Sequence, residues 1–276
     1  MPGVPRMNPG PTSGGYSAPG APGGSPTSGG WRRSAWSGVV AGLGARVDDL
    51  LDLVLGGRCA GCDRPGRALC RDCAREFEGR VFAARPDPAP LELPPVFALA
   101  RYEGVVRSVL LAHKERGRTR LAKPLGAALG RVLATTAGPG DVVVMVPSRR
   151  AAIRTRGYDP LARIARHAVA NSRLLGRPLR ICPALALARP VADQVGLSAA
   201  ARVANLSGAM TVRRGFASYL AGRTIVLLDD VVTTGATLAE AARALRDVGG
   251  RVRAAVVVAA TSKGPDSSLA RVFGPA

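Results

Sequence analysis

Acidic residues are scarce in this chain. Asp and Glu number 19 against 39 Lys and Arg, a formal net charge of +20 over 276 residues. Such a balance favours anionic partners, but charge alone does not select nucleic acid over a small phosphorylated ligand. A solvated arginine-rich surface also accounts for any one cation taken singly. Aromatic residues make up only 4%, and neither an aromatic stack nor a placed amide for a nucleobase can be located. No run of 18 uncharged apolar residues exists, so no membrane span is expected. The chain lacks a Gly-x-Gly-x-x-Gly fingerprint and a Gly-Lys-Ser/Thr phosphate loop, which removes two common nucleotide-binding signatures. Trp31 to Ala45 faintly resembles a twin-arginine export signal, but it begins late, and Asp48, Asp49 and Asp52 follow it closely. It reads as a helix start, and the protein is expected to be cytoplasmic.

Hydrophobic residues reach 47%, enough for a sizeable core. Residues 1–35 are Gly, Pro, Ser and Thr with almost no apolar content, so they are expected to be a disordered tail. Val40, Leu43, Val47, Leu50, Leu51 and Val54 recur at helical spacing and predict an amphipathic helix within 36–57. A Pro-rich stretch, Arg85 to Pro95, reads as a linker. From Val96 onward, strand-like and helix-like runs alternate. Val96–Tyr102, Val142–Pro147, Thr224–Leu228 and Arg251–Thr261 are the strands; Val105–His113, Leu121–Leu133, Leu161–Val169 and Leu238–Val248 are the helices. Asp159 and Pro160 suit an N-cap and a first helical position. Uninterrupted apolar strands alternating with helices predict an α/β fold with a parallel sheet covered on both faces.

The run Ile225 to Leu228 leads straight into Asp229 and Asp230, and then into Thr233, Thr234, Gly235, Ala236 and Thr237. In an open parallel sheet, ligands bind beyond the carboxyl ends of the strands. Backbone N–H groups at a helix N-terminus, with hydroxyls beside them, suit a phosphate, and Gly235 allows close backbone approach. Carboxylates repel phosphate, so the acids should face hydroxyl donors, a metal or both. A sugar phosphate matches that ordered combination.

Cys59, Cys62, Cys70 and Cys73 form C-x2-C-x7-C-x2-C. Each C-x2-C offers two thiolates from one tight turn, and two such turns complete a tetrahedral zinc site. Two disulfides and a redox dithiol are the other readings. Without a signal peptide, zinc is the preferred one. Cys182 has no partner in the pattern and reads as a packed free thiol.

The segment Ile225 to Thr237 closely resembles the phosphoribosyl-diphosphate-binding motif of type I phosphoribosyltransferases. With a zinc ribbon ahead of it, the chain resembles the ComF family, linked to natural competence and DNA uptake. Three further stretches carry the likeness: Tyr102 to Ala122, Val146 to Pro160, and Asp193 to Met210 with Gln194, Leu197, Arg202, Asn205 and Gly208. Two positions depart from the pattern. Asp159-Pro160 stands where Asn-Gln is usual, and Glu115 where an aromatic often follows the lysine.

The resemblance implies a type I phosphoribosyltransferase fold over 96–265, preceded by a zinc ribbon at 58–80. It implies that Asp229 and Asp230 hold the ribose hydroxyls and that Thr233, Thr234, Gly235, Ala236 and Thr237 hold the 5′-phosphate of phosphoribosyl diphosphate, with Mg²⁺. Pyrophosphate departure calls for cations near the site. Ser148, Arg149 and Arg150 are the candidates on the loop after Val142–Pro147, with Arg154, Arg156 and Lys114 nearby and Arg202 on a segment able to close over the site. Two functions stay open: a phosphoribosyltransferase acting on an unidentified acceptor, or a non-catalytic zinc-bearing accessory of DNA uptake. The second would use the fold for nucleotide sensing, single-stranded DNA binding or docking to competence proteins.

Overall fold

The computed structural model describes residues 57–190 and 198–261. The expectations for the tail, for the helix within 36–57 (Gly57 apart), and for Asp193, Gln194 and Leu197 fall outside those residues. In chain order the elements begin with α1 (Arg71–Arg75), β1 (Phe82–Ala83), β2 (Val96–Arg101) and α2 (Gly104–Glu115). A 3-10 turn (Thr119–Leu121) leads into α3 (Ala122–Thr136). Then come β3 (Val142–Met145), α4 (Arg150–Arg156), α5 (Pro160–Leu174), β4 (Arg180–Cys182), β5 (Leu185–Leu187), α6 (Ala199–Leu206) and β6 (Met210–Val212). A second 3-10 turn (Arg214–Phe216) precedes α7 (Ala217–Leu220), β7 (Thr224–Val232), α8 (Ala236–Arg246) and β8 (Arg251–Ala260).

The main sheet runs β1-β2-β8-β7-β3-β4. Every pair is parallel except β1 with β2, and β5 and β6 form a separate antiparallel pair. The sheet is therefore mainly, not wholly, parallel. The exceptions are strands of two or three residues, too short to show the apolar run or alternation that marks a strand in a sequence. Val143, Val144 and Ile225–Leu228 are completely buried at the centre, as continuous apolar strands in a two-faced sheet should be. Leu125 and Leu129 of α3 and Ile164, Ala165 and Ala168 of α5 are buried in the same core.

Helix α5 begins as its sequence predicts. Asp159 caps it by accepting from the Ala162 N–H at 3.2 Å, and Pro160 takes the first turn, where no N–H partner is needed. Strand β7 differs from expectation. It does not stop at Leu228 but carries both acids within the ladder, pairing Asp229 with Val257, Val231 with Ala259 and Val232 with Ala260. The long apolar run of β8 offers a continuous partner edge, and backbone pairing is indifferent to the acidic side chains.

The Pro-rich 85–95 stretch lies against the body of the protein. Arg246 of α8 donates to the Glu92 carbonyl at 3.0 Å and pairs with its carboxylate. Among the described residues, no helix is long and apolar enough to cross a membrane.

Candidate functional site

Because β2, β8, β7, β3 and β4 run parallel, their carboxyl ends share one edge of the sheet. A cavity of 610 Å³ opens there. One wall comes from a single stretch of chain. Asp229 and Asp230 of β7 line it, followed by Thr233 and by Thr237 in the first turn of α8. Gly235 caps α8 at φ +76, and a Cβ there would come within 3.0 Å of the Leu93 side chain. The positive φ favours glycine, and the 85–95 stretch packed behind it leaves little room for a side chain. Gly235 and Ala236 are buried in that turn, while the Thr234 hydroxyl accepts from the Ala236 N–H at 3.5 Å.

The opposing wall is cationic and comes from separate places. Lys114, in the last turn of α2, sets its ammonium 2.8 Å from Asp230 Oδ2. Ser148 and Arg149 enter from the turn after β3, and Arg202 from α6. Arg202 donates to the Thr233 hydroxyl at 3.3 Å, so the two walls already touch. Ser148 donates to Asp159 Oδ1 at 3.1 Å. The Asp159 carboxylate thus anchors the turn and caps α5 at once.

Arg150 and Arg154 are not among the residues lining this cavity. They belong to α4 and line a neighbouring groove. Arg156 does line it, but its guanidinium lies 2.8 and 2.7 Å from the two oxygens of Glu115. That pair gives one cation of the lining an acidic partner, and Glu115 is also among the charges that raise the Lys114 pKa.

Asp229 sits in an unfavourable place for a charge. Burial, reinforced by the neighbouring charge of Asp230, pushes the Asp229 carboxyl up to about 8, against the opposing pull of Lys114. Asp229 Oδ1 also accepts from the Asp230 N–H at 2.8 Å. Burial opposes the charge on Lys114, yet Asp230, Asp229 and Glu115 raise its pKa overall. The lysine is therefore held charged, as the counter-ion of the pair.

Several supporting contacts carry no sequence signal, since the partners are far apart in the chain. The Tyr158 hydroxyl donates to the His113 carbonyl at 2.8 Å, beside Lys114. Buried His113 sets its ring nitrogens 3.2 Å from the Arg118 carbonyl and 3.1 Å from that of Pro160. At the foot of the β5–β6 pair, Glu240 accepts from the Met210 N–H at 2.9 Å and Arg243 donates to the Met210 carbonyl at 3.1 Å. This clamps β6 to α8.

The four cysteines form a second cluster. Their sulfurs all lie within 4.8 Å of one another, and those of Cys62 and Cys70 are 3.7 Å apart. Burial opposes ionisation of Cys59, but N–H groups including those of Cys70 (3.3 Å) and Gly61 (3.4 Å) point at its sulfur and lower its pKa to about 6. Burial and the neighbouring sulfurs raise Cys73. One thiolate-ready sulfur among three converging thiols suits a tetrahedral ion such as zinc. Gly61 is pressed between the Cys73 sulfur and Val105 of α2, each 2.8 Å from where its Cβ would lie. The ribbon is thus seated on the helix that carries Lys114. Cys182 is buried in the main core.

Comparison with known proteins agrees with this architecture. Residues 184–273 match the phosphoribosyl transferase domain family. Over 48 residues the chain is 50% identical to the orotate phosphoribosyltransferase of Methanopyrus kandleri, a match covering 17% of this chain and 26% of that protein. The chain thus spans about a quarter of the length of this relative. Taken with the sheet order and the cysteine cluster, the domain match identifies a mainly parallel α/β protein of type I phosphoribosyltransferase fold, with a four-cysteine cluster ahead of it.

Proposed function

We propose that this protein binds phosphoribosyl diphosphate with Mg²⁺ and transfers its phosphoribosyl group to a nucleophilic acceptor, as a ComF-like phosphoribosyltransferase of the cytoplasm. The observation that carries the reading is the two-walled cavity, with an acid pair and a hydroxyl-rich helix start facing Lys114, Ser148, Arg149 and Arg202. In this reading the Thr233–Thr237 turn takes the 5′-phosphate through its N–H groups and hydroxyls. Asp229 and Asp230 accept from the ribose hydroxyls, and Lys114 must release Asp230 for them to arrive. Ser148, Arg149 and Arg202 bind the diphosphate. Two adjacent carboxylates also suit a hard cation, whose charge would offset the burial that holds a proton on Asp229 and would release that proton. Magnesium, when bound, supplies neutralisation of the diphosphate oxygens.

The bond from ribose C1 to the diphosphate oxygen breaks, and its electron pair leaves with pyrophosphate. The acceptor's lone pair forms the new bond at C1, and its proton passes to solvent. Charge on the leaving group grows along this path, so the arginines are expected to act on rate more than on ground-state binding. The ribbon at 58–80 would hold one structural zinc through Cys59, Cys62, Cys70 and Cys73, and the catalytic domain would span 96–265.

Titration calorimetry with phosphoribosyl diphosphate and Mg²⁺ tests the binding, followed by a pyrophosphate-release screen across nucleobases, ammonia donors and small amines. Binding that is lost in Asp230→Asn supports the reading, and unchanged affinity in that variant overturns it. The net charge of +20 favours a second reading, a non-catalytic accessory of DNA uptake. Tight, salt-sensitive binding of single-stranded DNA with no pyrophosphate released from any acceptor would select it.

A further inference from the structure

The turn from Val146 to Arg149 is a wall shared by two cavities. The second is a groove of 540 Å³ between α4, the chain that follows β4, and the β5–β6 pair. Its lining includes Pro147, Ile153, Pro183, Leu185 and Leu187, an apolar surface. Arg150, Arg154 and Arg213 also line it, and all three are exposed. Arg150 and Arg154 are one helical turn apart, so they project from the same side of α4.

None of these three guanidinium groups has a hydrogen bond or ion pair among the described residues. Asp159, the carboxylate lining the groove, is engaged by the Ser148 hydroxyl and the Ala162 N–H. Arg189, also in the lining, is occupied with the carbonyls of Asn205 and Ser207 at 3.0 and 2.8 Å. In the first cavity two of the lining cations have acidic partners: Lys114 on Asp230, Arg156 on Glu115. Here three like charges line one groove with no ion-pair partner of their own among the described residues, beside an apolar surface. Arginines placed only for solubility require no such surface. A ligand site combines an apolar body pocket with a few convergent polar groups, and guanidinium forks match phosphate oxygens.

We infer that this groove is a second ligand site, which takes an organic phosphate monoester. The ligand's apolar or planar body lies on Ile153, Pro183 and Leu187, and its phosphate on Arg150, Arg154 and Arg213. The site uses neither the acid pair nor the Thr233–Thr237 turn, so it does not depend on the proposed binding of phosphoribosyl diphosphate.

The test uses the full chain and 1-naphthyl phosphate, followed by calorimetry, with inorganic phosphate and 1-naphthol as controls. One equivalent of 1-naphthyl phosphate should bind at least about tenfold more tightly than either control, because each lacks one half of the recognition. The double variant Arg154→Glu, Arg213→Glu should weaken it by about tenfold or more while melting like the wild type, since both side chains are exposed. Asp230→Asn should leave it unchanged, which separates this site from the first cavity even if phosphoribosyl diphosphate fails to bind. Equal affinity in the double variant, loss of binding in Asp230→Asn, or competition by phosphoribosyl diphosphate at the same stoichiometry would overturn the assignment. So would a short single-stranded oligonucleotide whose binding depends on Arg154 and Arg213 when 1-naphthyl phosphate does not bind, which would make the groove a nucleic-acid contact.

Discussion

The cysteine cluster and the acid pair are two answers to one problem. Each crowds ionisable acids of a single kind. The four thiols gather within 15 residues of chain, and the groups nearest their sulfurs are N–H dipoles and one another. The two carboxylates have a lysine 2.8 Å away, brought by a helix more than a hundred residues earlier, and Asp229 still holds its proton up to about pH 8. A cluster of like acids needs positive charge from somewhere. The carboxylates find part of theirs within the fold, whereas the thiols are arranged for an ion from outside it.

The sharpest way to break the comparison is to deny the thiols that ion. The purified protein is expected to carry about one zinc per chain, and Cys62→Ser should lower metal content and solubility together. Strong chelation should lower the melting temperature, because a bound zinc would couple to the ribbon's fold and Gly61 is packed on α2. Full zinc occupancy in Cys62→Ser would remove the four-cysteine assignment. The acid pair should behave in the opposite way. Asp230→Asn should melt near the wild-type temperature, yet bind phosphoribosyl diphosphate about tenfold to a hundredfold more weakly, the cost of one hydrogen bond to a charged acceptor. Calorimetry of that variant, paired with its melting curve, checks both halves.

Protonation sharpens the contrast further. Unfolded, Asp229 ionises near its ordinary value of 3.8; folded, it does so near about 8. Between those values the folded state holds a proton that the unfolded state has lost. The contribution of Asp229 is therefore fully present below about pH 4 and is lost as the pH rises to about 8. Denaturant melts across that window should show wild-type stability falling relative to Asp229→Asn. Because Lys114 lowers the Asp229 pKa, Lys114→Met should carry the decline to still higher pH. Parallel stability profiles in all three proteins would contradict the proposed charge state.

What the sequence discloses follows the same divide. The ribbon spacing, the Asp159-Pro160 helix start and the run from Ile225 to Thr237 are contiguous, so their chemistry is written in order. The cationic wall is not. Ser148 and Arg149 can be placed from the loop after Val142–Pro147, but Lys114 and Arg202 lie in stretches picked out by a family likeness, and the grouping of all four depends on the parallel sheet bringing four segments to one edge. Arg150 shows the limit of chain proximity: one residue past Arg149, it begins α4 and lines the other groove. Pairs such as Glu115 with Arg156, or Glu240 with Met210, join residues 41 and 30 positions apart and leave no local trace. Strand β7 hid its true end because two acids interrupt the apolar run while the backbone ladder continues to Val232.

The smallest expected effect is the most discriminating for the cationic wall. Glu115 and Arg156 form a close pair, but the Glu115 side chain is about half exposed, at 48%. Surface pairs of this kind contribute about 0–1 kcal/mol, so Glu115→Gln should barely change the melting temperature. Its effect should instead fall on the ligand. Freed from Glu115, Arg156 becomes available at the mouth of the cavity, and Lys114 loses one of the charges that raise its pKa. Phosphoribosyl diphosphate should then bind slightly more tightly, about twofold to fivefold, with the gain shrinking as salt screens the added charge. Calorimetry of Glu115→Gln at low and moderate salt reads this directly. A loss of affinity at both salt concentrations would instead make Glu115 a positioning partner that holds Arg156 where the ligand needs it.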